Sequence, residues 1–153
     1  MSFMPNIQIV PMKDVPTETS FPSQENRRPL VLVVDDERVI ADTLSVILSK
    51  NGFEVITAYT GEQALSMALE TKPDLLLSDV MMGPGIDGTE LAVEIVRTYP
   101  GCKVLLFSGH SATRELLGKA REAGHDFTLL AKPLHPADLL ARLSETFTGQ
   151  LTV

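Results

Sequence analysis

Five polar residues stand where short apolar segments of this chain end. Asp35 and Asp36 follow the run from Leu30 to Val34, and Asp79 follows Leu75 to Leu77 and Ser78. Ser108 follows Val104 to Phe107, and Lys132 follows Phe127 to Ala131. If those segments are parallel strands, three carboxylates, a hydroxyl and an ammonium converge on one edge. Clustered carboxylates repel, and at least one holds a raised pKa unless a cation intervenes. Mg²⁺ supplies that charge, prefers oxygen ligands and keeps some of its waters. A carboxylate beside such an ion can attack phosphorus and form an acyl phosphate. Phosphoryl transfer needs in-line positioning and neutralised equatorial oxygens. The ion, Lys132 and the Ser108 hydroxyl provide one partner for each of those oxygens, and Gly109 leaves space beside them. Taken singly, each residue has an ordinary explanation. An Asp pair after a strand usually caps a helix, and strand-end serines and surface lysines are common. The combination carries the signal.

The elements that must position these groups follow from periodicity. The segment from Leu30 to Val34 is continuously apolar, as in a strand buried on both faces. Ile40, Leu44, Ile47 and Leu48 recur at helical spacing, and Gly52 closes that helix. Glu54 to Ala58 reads as a second strand. Thr60 and Gln63 form a capping-box pattern ahead of Ala64, Leu65, Ala68 and Leu69. Asp87 and Glu90 start a helix whose buried stripe is Leu91, Ile95 and Val96. Leu116, Leu117 and Ala120 mark a fourth helix. Pro136 suits the first turn of a fifth, carrying Leu139, Leu140 and Leu143. Five strand–helix units imply an α/β fold with a parallel sheet covered on both faces. The working site of such a sheet lies at the carboxyl ends of its strands.

The rest of the sequence sets limits. Residues 1–28 hold Pro5, Pro11, Pro16 and Pro22 among polar residues, with no period, and read as a disordered tail. The folded domain is expected over residues 29–148, with 149–153 a short tail. There is no secretory pattern and no apolar run of membrane length, which points to a cytoplasmic protein without membrane contact. The single cysteine, Cys102, fits a reducing compartment and reads as a strand-entry filler. A net charge of −7 argues against nucleic-acid binding.

These strings resemble the receiver domain of two-component response regulators. The matches are Val33 to Glu37, Leu77 to Met82, Asp87 to Leu91, Phe107 to Gly109, and Lys132-Pro133. The resemblance runs from about Leu30 to Glu145. It implies a flavodoxin-like sheet of order 2-1-3-4-5 with helices on both faces. It further implies that Asp79 accepts phosphate from a phosphohistidine on a sensor histidine kinase or a histidine phosphotransfer protein. Asp36 matches the direct metal ligand, Asp35 its water-mediated neighbour, and the backbone carbonyl of Met81 the remaining protein ligand of Mg²⁺. Ser108 matches the switch hydroxyl, and Lys132 the phosphate-binding lysine. Pro133 matches a proline usually preceded by a cis bond. The protein is expected to be a phosphoacceptor, not an enzyme, and its readout an unknown downstream protein. A phosphorylation-dependent homodimer stays open. With 21 residues after Lys132 (153 − 132), a stand-alone receiver is expected.

Two positions depart from the family pattern. Asp87 is reached one residue later than usual, so the loop around Gly83 to Gly85 is longer. Leu129 occupies the place of the switch aromatic, and Phe127 lies two residues earlier on the same face. Met81 offers no grip on an attacking water, and His110 either positions one or shields the site; slow self-dephosphorylation is expected. Two rival readings fit the residues less well. Gly83, Gly85 and Gly88 match a dinucleotide-binding G-x-G-x-x-G string, but begin too far past the strand end. A magnesium phosphohydrolase would need an acid at the Met81 position.

Overall fold

The computed structural model describes residues 27–109 and 113–148. Five strands alternate with five helices: β1 (Leu30–Val34), α1 (Arg38–Ser49), β2 (Glu54–Ala58), α2 (Gly61–Thr71), β3 (Leu75–Asp79), α3 (Gly88–Thr98), β4 (Lys103–Ser108), α4 (Thr113–Glu122), β5 (Thr128–Ala131) and α5 (Pro136–Thr148). The sheet is wholly parallel, in the order β2-β1-β3-β4-β5. This is the flavodoxin-like arrangement. Parallel neighbours cannot be joined by tight turns, so each strand returns through a helix.

Strand alternation divides the core into two layers. Val31, Val33, Leu75, Leu77, Leu105 and Phe107 face α1 and α5. Leu32, Val34, Leu76 and Leu106 face α2, α3 and α4. All four residues from Val31 to Val34 are fully buried. Burial of each contributes about 1.5–3 kcal/mol, which fixes the central strands and hence the sheet edge that follows them.

Several details refine the sequence expectations. β5 begins at Thr128, one residue later than expected; Phe127 stacks its ring on His125 at 5.7 Å and packs beside the core layer that faces α2, α3 and α4. β5 is also the poorly covered edge, with Leu129 38% exposed. On α1, Leu44 and Leu48 are buried with Ala41, whereas Ile40 and Ile47 are only partly covered. On α2, Ala64 and Ala68 are buried but Leu69 is half exposed. Thr60 accepts the Gln63 N–H at 3.0 Å, but Gln63 returns its side chain to the Tyr59 N–H, one residue before the cap. α3 carries the complete box: Asp87 accepts from the N–H groups of Thr89 and Glu90, and Glu90 accepts from that of Asp87. Arg27 grips Asp74 through two contacts of 3.1 Å. Among the described residues no helix is long and apolar enough to cross a membrane.

Candidate functional site

The sheet register brings the expected residues together. Val34 pairs with Ser78, so the next residues, Asp35 and Asp79, leave neighbouring strands side by side. Asp79 pairs with Phe107, and Ser108 with Ala131. The Lys132 N–H then donates to the Ser108 carbonyl at 3.2 Å, which extends the ladder by one step. β1 has β2 on one side and β3 on the other, so the site lies where strand order reverses.

Lys132 is the hub. Its Nζ lies 3.0 Å from Asp79 Oδ2, 3.4 Å from Asp35 Oδ2 and 3.8 Å from Glu37 Oε1. It also stands over the Phe107 ring, 5.3 Å from the centroid. Burial works against its charge, but the hydrogen bond to Asp79 and the charges of Asp79 and Asp35 prevail and hold its pKa above the ordinary lysine value. The peptide bond from Lys132 to Pro133 is cis. Asp79 is 2% exposed and Ser108 6%, so both are shielded from bulk water.

The acidic side of the site is short of positive charge. One carboxylate oxygen from each of Asp35, Asp36 and Asp79 falls within a group no wider than 4.8 Å. Asp35 is fully buried. Its Oδ1 accepts the Glu37 N–H at 3.0 Å, but its Oδ2 has no hydrogen-bond partner, the Lys132 contact being an ion pair only. Burial, with the nearby Asp79 charge, pushes the Asp35 carboxyl up to about 6. A buried carboxylate oxygen without a donor costs free energy that a hard cation would recover. Opposite ligands of an octahedral Mg²⁺ stand ~4.2 Å apart, so three oxygens this close need only small shifts to share one. The residues present fit such an ion.

The loop after β3 completes the rim. Met81 donates its N–H to Asp79 Oδ1 at 3.2 Å, which places its backbone against the acceptor carboxylate. Gly83 donates its N–H to Asp36 Oδ2 at 3.1 Å. Gly88 packs directly on the Asp79 carbonyl, and a Cβ there would also lie 2.9 Å from Val80 Cα. This glycine string is not a pyrophosphate cradle. Gly83 faces the Asp36 carboxylate and Gly85 the Glu62 carboxylate, both of which repel an anion. Glu37, Phe107 and the Gly83 N–H are participants that periodicity does not expose, because their contacts with Lys132 and Asp36 exist only after folding. Glu37 and Phe107 do stand in the strings that carry the family resemblance, which is the signal the sequence offered for them. His110 lies outside the described residues. Cys102 is buried and its thiol pushed up to about 11, which leaves it unreactive at neutral pH.

Comparison with known proteins agrees with this geometry. Residues 31–144 match the response regulator receiver domain family. A CheY-like receiver domain protein from Methanospirillum hungatei is 31% identical, with a TM-score of 0.73, covering 80% of this chain and 96% of that one. The chemotaxis protein CheY4 of Vibrio cholerae is 29% identical, with a TM-score of 0.69, covering 78% of this chain and 98% of that one. NtrX from Brucella abortus, a longer protein, is 29% identical, with a TM-score of 0.70; the match covers 80% of this chain and 27% of NtrX. The chain therefore belongs to the response regulator receiver domain family of two-component systems, whose members are phosphoacceptor signalling domains that bind Mg²⁺ in an acidic pocket.

Proposed function

We propose that Asp79 accepts a phosphoryl group from a phosphohistidine on a sensor histidine kinase or histidine phosphotransfer protein, in a Mg²⁺-dependent reaction. The chain then signals through protein–protein contacts. The observation that carries this reading is Lys132 Nζ at 3.0 Å from Asp79 and 3.4 Å from Asp35, beside three carboxylates within 4.8 Å. Asp35, Asp36, Asp79 and the Met81 carbonyl would hold the ion. When bound, Mg²⁺ supplies positive charge that neutralises the carboxylates and the incoming phosphoryl oxygens.

The chain's own groups do the remainder. An Asp79 carboxylate oxygen attacks phosphorus; the P–O bond forms as the P–N bond breaks, and the departing imidazole takes a proton from solvent. Lys132 moves its charge from the Asp79 carboxylate to a phosphoryl oxygen. The Ser108 hydroxyl donates to another. Met81, two residues past Asp79, brings no acid or base, so the acyl phosphate persists and the chain does not turn over as a phosphatase.

An apolar groove of roughly 490 Å³ runs beside Lys132, lined among others by Val39, Ile40, Ile47, Pro133 and Leu134. Val39 at its rim is 78% exposed. Its place next to the acceptor supports docking of a helical phosphodonor there. The output face is α4, β5 and α5, where phosphorylation would draw Ser108 inward and shift β5. Leu129 stands on this face, 38% exposed, where the family pattern has an aromatic.

The test is incubation with Mg²⁺ and acetyl phosphate followed by intact mass measurement. One phosphoryl group on the wild type and none on Asp79→Asn supports the proposal. An adduct on both, or on neither, defeats it.

A further inference from the structure

The lengthened loop after β3 is fastened to the start of α2. Ile86 donates its N–H to Glu62 Oε2 at 3.0 Å. Gly85 adopts φ +104°, and a Cβ there would lie 2.5 and 2.7 Å from the two Glu62 carboxylate oxygens. Gly61, adjacent to Glu62, is packed so closely on Ile86 that a Cβ would lie 2.8 Å from its carbonyl oxygen. Glu62 is otherwise an exposed residue in the first turn of its helix, where a carboxylate usually only complements the helix dipole. Here it crosses to another element. The same loop, three residues earlier, presents the Gly83 N–H to Asp36 Oδ2 at 3.1 Å. Asp36 is exposed and its carboxylate would otherwise rotate freely.

We infer that Glu62 is a positioning residue for the metal site, holding the loop so that the Gly83 N–H orients the Asp36 carboxylate toward Asp35 and Asp79. This rests on the reading of those three carboxylates as a Mg²⁺ site. Glu62 is not one of the three carboxylates grouped within 4.8 Å, so it acts by geometry and not as a ligand. Its hydrogen-bond acceptance, not its charge, is the property required. Glu62→Gln keeps an acceptor for Ile86, whereas Glu62→Ala removes it. Gly85→Ala introduces a methyl where the carboxylate lies, on a backbone that disfavours one.

Two readouts separate this role from general stability, with thermal melts confirming that each variant folds. First, amide hydrogen exchange is followed in the metal-free proteins. Gly83 and Ile86 should exchange faster in Glu62→Ala and Gly85→Ala, and as in wild type in Glu62→Gln. Second, Mg²⁺ affinity is measured by calorimetry without any phosphodonor. Loss of an exposed hydrogen bond worth about 1 kcal/mol predicts roughly fivefold weaker binding in Glu62→Ala and Gly85→Ala. Saturating Mg²⁺ should restore the rate of phosphorylation by acetyl phosphate. Unchanged Gly83 exchange and Mg²⁺ affinity in Glu62→Ala would overturn the inference, as would Glu62→Gln binding as weakly as Glu62→Ala, which would assign the effect to charge. If the wild type shows no saturable Mg²⁺ binding, the underlying reading of the site fails and this inference with it.

Discussion

Replacing Asp35 by Asn should change how stability of the metal-free protein depends on pH. Asp35 is fully buried and its carboxyl is raised from 3.8 to about 6. The unfolded chain releases this proton near the ordinary value, while the folded chain holds it to the higher one. Below both values the proton is bound in either state and no stability is lost. As pH rises from about 4 through about 6, the fold is progressively destabilised, because it must ionise a shielded group. A shift of about 2 units corresponds to about 3 kcal/mol once Asp35 is fully ionised. For a domain of this size that is a melting difference of roughly 6–12 °C. The assay is thermal unfolding in chelator across pH 4 to 8, wild type against Asp35→Asn. Subtraction removes contributions from the other acids, some of opposite sign. Asp74 is one: burial opposes its charge, but Arg27 and the Leu30 N–H prevail and lower its pKa, so its stabilisation is lost in acid. The variant should gain on the wild type by up to about 3 kcal/mol between pH 4 and 8. With saturating Mg²⁺ at pH 8 the order should reverse, since the ion binds the deprotonated wild-type ligands. A difference between the two proteins that stays flat with pH would refute the reasoning.

Other perturbations have equally definite outcomes. Gly88→Ala drives a methyl into the Asp79 carbonyl and to 2.9 Å from Val80 Cα, and should cost about 2 kcal/mol or more in denaturant unfolding and slow phosphorylation together. Asp87→Ala removes a cap accepting from Thr89 and Glu90, and should cost about 1 kcal/mol with a smaller effect on phosphorylation. Leu129→Ala should cost under ~1 kcal/mol, because Leu129 is 38% exposed, while Leu130→Ala, packed against the core layer that faces α1 and α5, should cost more. The acyl phosphate should survive for minutes or longer in Mg²⁺ buffer at neutral pH; loss within seconds would count against Met81 as the reason for persistence.

Much of this structure was legible in the sequence because the signals were local and redundant. The run from Leu30 to Val34 is apolar at both parities, which only a doubly covered strand requires, and the acid pair after it marks the strand end. The Asp87–Glu90 box announced α3 with its full geometry. Failures came where tertiary contacts outweighed local pattern. Phe127 looks like a strand residue, yet its stack on His125 takes it out of β5. Leu69 lies on the apolar face of α2 by period, but among the described residues its side chain is left half exposed. The roles of Glu37 and Phe107 around Lys132, and of Glu62 and Gly83 around Asp36, depend on residues distant in sequence. No spacing rule reports them. The placement of Asp79, Ser108 and Lys132 at one edge was legible because each stands at or just past a strand end, where register fixes position.

The most direct measurement is to locate the phosphoryl group. The wild-type protein is phosphorylated with acetyl phosphate and Mg²⁺, reduced with borohydride to convert any aspartyl phosphate to homoserine, digested, and sequenced by mass spectrometry. Homoserine at position 79 alone, absent when Mg²⁺ is chelated, is the expected result. Homoserine at 35 or 36, or no conversion in a protein that carries the phosphoryl mass, would contradict Asp79 as the acceptor.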